Sequence, residues 1–222
     1  MHTPRFITFT GVDESTSIAG MVELHQQYPI EWGVLFSKSR AGSGRYPCNA
    51  FISELVGNHY TMNFAAHLCG EYARSVVRDD RCEVDGLIRD RFWRAQINTA
   101  EGNINTQFLL EWGVRNHLRP ILQCRDSFPP DFTVDWLFDA SGGRGIEPKA
   151  WPVPRSTWHG RAISKGYAGG LNPDNVVQHV AAISEHDTSY WIDMESGVRD
   201  ESDHFDLERC RAVCQAVYGA PR

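Results

Sequence analysis

Eight short, mostly apolar runs constrain this chain more than any other feature. They lie at residues 6–10, 31–36, 60–67, 92–98, 119–123, 136–140, 163–168 and 190–194. Runs this short, with little polar alternation, are the pattern of parallel strands buried on both faces. Between them, residues 17–28 carry Ile18, Met21, Val22 and Leu24 at helical spacing. The same period recurs at 105–117, 173–185 and 206–218, with shorter helical stretches at 48–56 and 70–77. The repeated unit is strand then helix, which calls for a parallel sheet with right-handed crossovers. A closed (β/α)8 barrel and a doubly wound open sheet both fit the strand count alone. Two crossovers interrupt the helical pattern: 126–133 holds Pro129-Pro130, and 149–160 holds Pro152 and Pro154. The fifth and sixth helices are therefore expected to be short or irregular. No low-complexity tract or linker divides the 222 residues, so 1–222 reads as one barrel domain.

The last two strand ends favour the barrel. Gly169-Gly170-Leu171-Asn172-Pro173-Asp174-Asn175 follows an apolar run and opens a helix, with Asn172 suited to the cap and Pro173 to the first helical position. Paired glycines before a helix let backbone N–H groups approach a bound anion. One helix later, Asp193-Met194-Glu195-Ser196-Gly197 repeats the strand-then-glycine element. Two such turns on consecutive strands describe the phosphate site of a (β/α)8 barrel, with Gly169, Gly170, Ser196 and Gly197 as backbone donors.

A formal net charge of -6 and the lack of a clustered basic stripe argue against a nucleic-acid partner. No apolar run is long enough to span a bilayer. The six cysteines form no CxxC pair, and Cys210 and Cys214 share one helical face, which suits reduced thiols in a cytoplasmic protein. Zinc-ligand spacing is absent, so no metal is expected. Asp203-His204 reads as a cap of the last helix, and Glu185-His186-Asp187 as a helix end. Trp32, Trp93, Trp136 and Trp191 lie in strands and are expected in the core.

The C-terminal half resembles phosphoribosylanthranilate isomerase of tryptophan biosynthesis. Leu137-Phe138-Asp139, with Gly142-Gly143-Arg144-Gly145 and Trp151, is similar to that family's sixth strand and glycine loop. The stretch from Gly169 to Val176 matches its seventh strand turn nearly letter for letter, and the stretch from Asp193 to Val198 its eighth. Ser37-Lys38-Ser39-Arg40 and Arg45-Tyr46 resemble its second loop. The resemblance implies a cofactor-independent aldose–ketose isomerase, of the intramolecular oxidoreductase type, acting on a phosphorylated small molecule. It implies nothing about oligomeric state.

That Amadori rearrangement needs a general acid to open the furanose ring and a general base to take a proton from the sugar C2. The resemblance puts the acid at Asp139 and the base at the end of the first strand, where the family has cysteine and this chain has Thr10. A threonine hydroxyl gives no appreciable anion near neutral pH, so the base must be reassigned. Glu195, His67, Asp13 and Cys69 are open alternatives, with Gln96, Asn98, Gln123 and Arg125 as further polar strand ends. Arg45 is the choice over Arg40 for a substrate carboxylate, because Tyr46 follows it; Arg144 is a second candidate anion clamp. A carboxylate at Glu195 beside a phosphate requires a cation, from Lys165 or Arg199. The alternatives to the isomerase are a lyase or isomerase on another phosphorylated substrate, and a non-catalytic phosphometabolite binder.

Overall fold

The computed structural model of the chain describes residues 2–57, 61–78, 83–154 and 164–220. Eight parallel strands close into a barrel in sequence order: β1 (Ile7–Thr10), β2 (Ile30–Phe36), β3 (Phe64–Leu68), β4 (Arg94–Ile97), β5 (Arg119–Cys124), β6 (Asp135–Asp139), β7 (Lys165–Ala168) and β8 (Tyr190–Met194). β8 pairs with β1, which excludes the open sheet. The helices are α1 (Ile18–Gln27), α2 (Asn49–Gly57), α3 (Glu71–Val77), α4 (Asp85–Ile88), α5 (Thr106–Asn116), α6 (Val176–Ser184) and α7 (Leu207–Tyr218). A 3-10 turn, Ser196–Val198, follows β8. No helix joins β5 to β6, and none is found among the described residues between β6 and β7, as the prolines there require. β3 starts later than the apolar pattern indicates, and residues 60 and 163 lie outside the described set.

Strand alternation sorts the side chains into two environments. Ile7, Phe9, Trp32, Val34, Ala66, Ile97, Phe138 and Ile192 are buried in the main core, which spans the strands and the helices. The inward positions are largely polar. At the base, Glu31 accepts from Arg94 Nε at 2.8 Å and Nη2 at 2.6 Å, and from Thr8 Oγ1 at 2.9 Å. The Arg94 guanidinium also lies over the rings of Trp191, at 4.1 Å, and Phe6, at 4.8 Å. A small apolar plug of Ile121, Leu137 and Trp191 forms a second buried cluster. Gly166 makes room for that indole: a Cβ there would stand 2.2 Å from Trp191 Cε2. Thr10, His67, Gln96, Gln123, Asp139 and Asp193 line the cavity at the strand ends.

Three local expectations change. α6 begins at Val176, after a turn in which Asn172 Oδ1 accepts from Asp174 N and Asn175 Oδ1 accepts from Asn172 N. The cap of α7 is Asp206, which accepts from Glu208 N and Arg209 N; Asp203, at φ +63°, is turned toward two arginines instead. Trp93 immediately precedes β4 and is 65% exposed, whereas its neighbour Phe92 packs edge-on against Phe36 and Phe64. Trp32, Trp136 and Trp191 are buried, as are Cys210 and Cys214.

Candidate functional site

The strand ends enclose a cavity of about 560 Å³, lined by side chains from all eight strands or the loops that follow them. This is the end at which loop variation builds sites on this fold. The cavity has a glycine-turn wall, an arginine-laced rim and a carboxyl floor.

The wall comes from the ends of β7 and β8. Gly169 and Gly170 adopt φ values of +126° and +66°, which favour glycine. Gly197 allows an even closer approach, because a Cβ there would meet Leu171 O at 1.9 Å. The N–H groups of Gly169, Gly170, Ser196 and Gly197 bond to no backbone carbonyl among the described residues, and all four residues line the cavity. Ser196 and Gly197 also open the 3-10 turn, whose first N–H groups are free by construction.

The cation beside this wall is Arg209, on the first turn of α7. It lines the cavity, donates Nε to Gly197 O at 3.2 Å, and has no ion pair among the described residues. Lys165 and Arg199 are committed elsewhere. Lys165 lies 3.5 Å from Asp187, and Arg199 donates to Asp13 Oδ2 at 2.6 Å and Gly11 O at 2.7 Å. The neighbour of Glu195 is Arg45, at 2.7 Å; the same guanidinium reaches Ser196 Oγ at 3.0 Å and Asp203 Oδ1 at 2.6 Å. Arg45 thereby ties the loop after β2 to the loop after β8, and holds the Asp203 carboxyl below its ordinary range. Arg144 is exposed, outside the cavity lining, and donates Nε to Ser141 O at 2.8 Å.

The floor holds two carboxyl groups. Asp139 accepts from Ser141 N at 3.0 Å, Ser141 Oγ at 2.8 Å and Gly143 N. Asp193 Oδ1 accepts from Thr10 Oγ1 at 2.8 Å. The registers Asp139↔Ala168 and Ala168↔Asp193 set the two at one level, two strands apart. Burial, together with Glu195 and Glu31, pushes the Asp193 carboxyl up to about 8, against the lowering hydrogen bond from Thr10. His67 Nε2 lies 3.4 Å from Thr10 Oγ1. Burial and the nearby Arg94 push that imidazole down to about 3, so it is neutral. The Thr10 hydrogen points to Asp193, so the imidazole contact is an Nε2–H donated to the hydroxyl oxygen. Gly33 seats this arrangement: a Cβ there would stand 2.3 Å from Thr10 Oγ1. Burial raises the Cys69 thiol, which therefore does not supply a thiolate.

Of the residues singled out in the sequence, Thr10, His67, Asp139, Gly169, Gly170, Glu195, Ser196 and Gly197 surround one cavity. Arg45 stands on its rim, and Arg144 stands apart. Asp193 and Arg209 were not singled out. The alternation that turns Trp191 inward also turns Asp193 inward, and that parity was the available signal. Arg209 gave none, being one of several cations on an amphipathic helix. Among the described residues, no group of His, Cys, Asp and Glu is arranged to hold a metal ion, and no helix is long and apolar enough to cross a membrane.

No family model matches the chain, and no curated protein sequence does. Solved structures do. TrpF from Jonesia denitrificans is 18% identical, with 98% of this chain and 99% of that one covered at a TM-score of 0.64. A phosphoribosyl anthranilate isomerase solved with reduced 1-(o-carboxyphenylamino)-1-deoxyribulose 5-phosphate is 13% identical, with 99% and 100% covered at 0.62. The octameric ribulose-1,5-bisphosphate carboxylase/oxygenase from Pyrococcus horikoshii is 10% identical, with 98% of this chain but 57% of that one covered, at 0.59. Over nearly its whole length, this chain has the barrel fold of phosphoribosylanthranilate isomerase.

Proposed function

We infer that this barrel is a sugar-phosphate isomerase of the Amadori type, acting on an N-linked phosphoribosyl amine such as phosphoribosyl anthranilate. One observation carries the reading: a glycine-turn wall, whose N–H groups bond to no carbonyl among the described residues, and an arginine face a pair of buried carboxyl groups across one cavity. The wall suits a phosphate dianion, since backbone N–H groups and a nearby cation both favour negative charge. Two carboxyl groups suit a reaction that needs one proton given and one taken. Arg45 is placed to meet a substrate carboxylate once its partners Glu195 and Asp203 yield. Thr10 replaces the family's cysteine, and its hydroxyl serves a neighbouring carboxyl instead of attacking the substrate proton. No step of this chemistry calls for a cofactor or a metal.

The same departure at Thr10 favours a second reading, in which the phosphate wall serves another phosphorylated substrate. Complementation of a strain lacking the isomerase separates the two. Growth restored by this chain, and lost on Asp139→Asn, supports the first reading. Failure to restore growth, with phosphoribose or inorganic phosphate still raising the Tm of the purified protein, supports the second. Failure on both counts overturns the phosphate site itself.

A further inference from the structure

Resting on that reading, we propose that the proton roles in this cavity are reversed from those the resemblance implies: Asp193 gives the proton that opens the ring, Asp139 takes the proton from the sugar C2, and Thr10 is the residue that positions Asp193.

The hydrogen-bond inventory carries the assignment. Every hydrogen bond to the Asp139 carboxyl is one that it accepts, from two N–H groups and one hydroxyl. Each of its oxygens takes a backbone N–H, which can only donate, and the one hydroxyl beside it, Ser141 Oγ, already accepts from Arg144 N. Asp139 is therefore held as a proton acceptor. Asp193 is held differently. Its Oδ1 is occupied by the Thr10 hydroxyl, its Oδ2 takes no hydrogen bond from any described residue, and it has no ion pair among them. It is buried, yet it lines the cavity. A buried carboxyl with one neutral donor and no cation partner keeps its proton. With Oδ1 occupied, that proton sits on Oδ2.

The surrounding charges act the same way. Asp193 faces Glu195 at the end of its own strand, Glu31 of β2 and Arg94 of β4, while neutral His67 of β3 meets the same Thr10 hydroxyl. Asp139 stands two strands away, and Arg209 of α7 lines the same cavity. The two glutamates disfavour a further negative charge at Asp193. Arg94 favours one, but both its shorter bonds go to Glu31.

The steps balance. Asp193 Oδ2–H protonates the furanose ring oxygen. The C1–O bond breaks with its pair on oxygen, and the amine lone pair forms C1=N⁺. The Asp139 carboxylate removes the C2 proton, the C–H pair becomes C1=C2, and the C=N pair returns to nitrogen. The enol oxygen then gives its proton back to Asp193, C1 takes a proton from Asp139, and a ketone forms at C2. C1 is reduced and C2 oxidised within one molecule, with no outside oxidant.

The test has one arm independent of turnover. Infrared spectroscopy of the whole protein at pH 7 should show a protonated carboxyl band that is absent in Asp193→Asn and present in Asp139→Asn. Thr10→Val should shift that band. A band lost on Asp139→Asn, or no band at all, overturns the assignment. The second arm is the pH profile of kcat on phosphoribosyl anthranilate. The profile should fall as pH rises through about 8; Asp193→Asn should drop turnover to background, and Thr10→Val, which keeps the carboxyl but removes the lowering hydrogen bond, should move this limb to higher pH with KM nearly unchanged. A rate that rises through pH 8 makes Asp193 the base and overturns the proposal. If no variant or parent turns over, the isomerase reading fails, while the infrared arm still decides where the proton resides.

Discussion

Replacing Arg94 by methionine should cost this protein a large part of its stability. Arg94 and Glu31 lie inside the base of the barrel, with side chains 7% and 5% exposed, and share two charged hydrogen bonds. Methionine fills similar space but leaves the Glu31 carboxylate with only the Thr8 hydroxyl. Removing one partner of a buried pair typically costs about 3–5 kcal/mol, because the other charge stays buried. The guanidinium also lies over Trp191 and Phe6, a contact worth on the order of 1–2 kcal/mol when desolvated. Together these come to about 4–7 kcal/mol, and for a chain this long each kcal/mol moves Tm by roughly 2–4 °C, so the fall should be about 8–28 °C. Urea unfolding, followed by tryptophan fluorescence and far-ultraviolet dichroism together, reads the change provided the two transitions coincide. The double variant Glu31→Met/Arg94→Met removes both charges and should recover about half of the loss or more, leaving about 1 kcal/mol for the Thr8 hydroxyl and about 1–2 kcal/mol for the lost ring contacts. A loss of less than about 1 kcal/mol in Arg94→Met, or a double variant as unstable as the two single losses added together, would show that the buried pair is not coupled in this way.

Other perturbations probe the mouth. Gly197→Ala drives a Cβ into Leu171 O, and should both cost about 3 kcal/mol or more and abolish the rise in Tm given by inorganic phosphate. Arg209→Leu should leave stability nearly unchanged but weaken binding of a phosphosugar by about tenfold or more, measured calorimetrically. Asp193→Asn should become more stable relative to the parent as pH rises. The folded carboxyl keeps its proton up to about 8 while the unfolded one loses it near 4, so its contribution to the parent is full in acid and declines through that window. Urea midpoints for both proteins between pH 4 and pH 9 check this, and a constant difference across the range would contradict it. Acrylamide should quench Trp93 fluorescence before that of Trp32 or Trp191, as Trp93→Phe would reveal by removing an easily quenched fraction.

Strand and helix periodicity made the barrel legible, because each element carries its own pattern and the prolines mark the two crossovers without a full helix. The glycine turns were legible for a related reason: a backbone that must approach an anion, or accept φ +66°, leaves few residue choices. Partnerships across the mouth were not. Arg45 and Glu195 are 150 positions apart, and Thr10 and Asp193 are 183 apart. Nothing local distinguishes Arg199, which clamps Asp13, from Arg209, which carries no ion pair among the described residues. Trp93 shows the limit of the apolar-run argument, since a tryptophan just before a strand faces solvent when the strand's first residue turns inward.

The proposed carboxyl pair and glycine-turn phosphate wall should perform an Amadori rearrangement without the cysteine base. The direct measurement is turnover of purified protein on phosphoribosyl anthranilate, followed by the loss of anthranilate-type fluorescence as the ring opens. Turnover should stand well above the uncatalysed background, be lost on both Asp139→Asn and Asp193→Asn, and be retained in part by Thr10→Val. Background rates from a protein that still binds the phosphorylated substrate would contradict the proposed rearrangement.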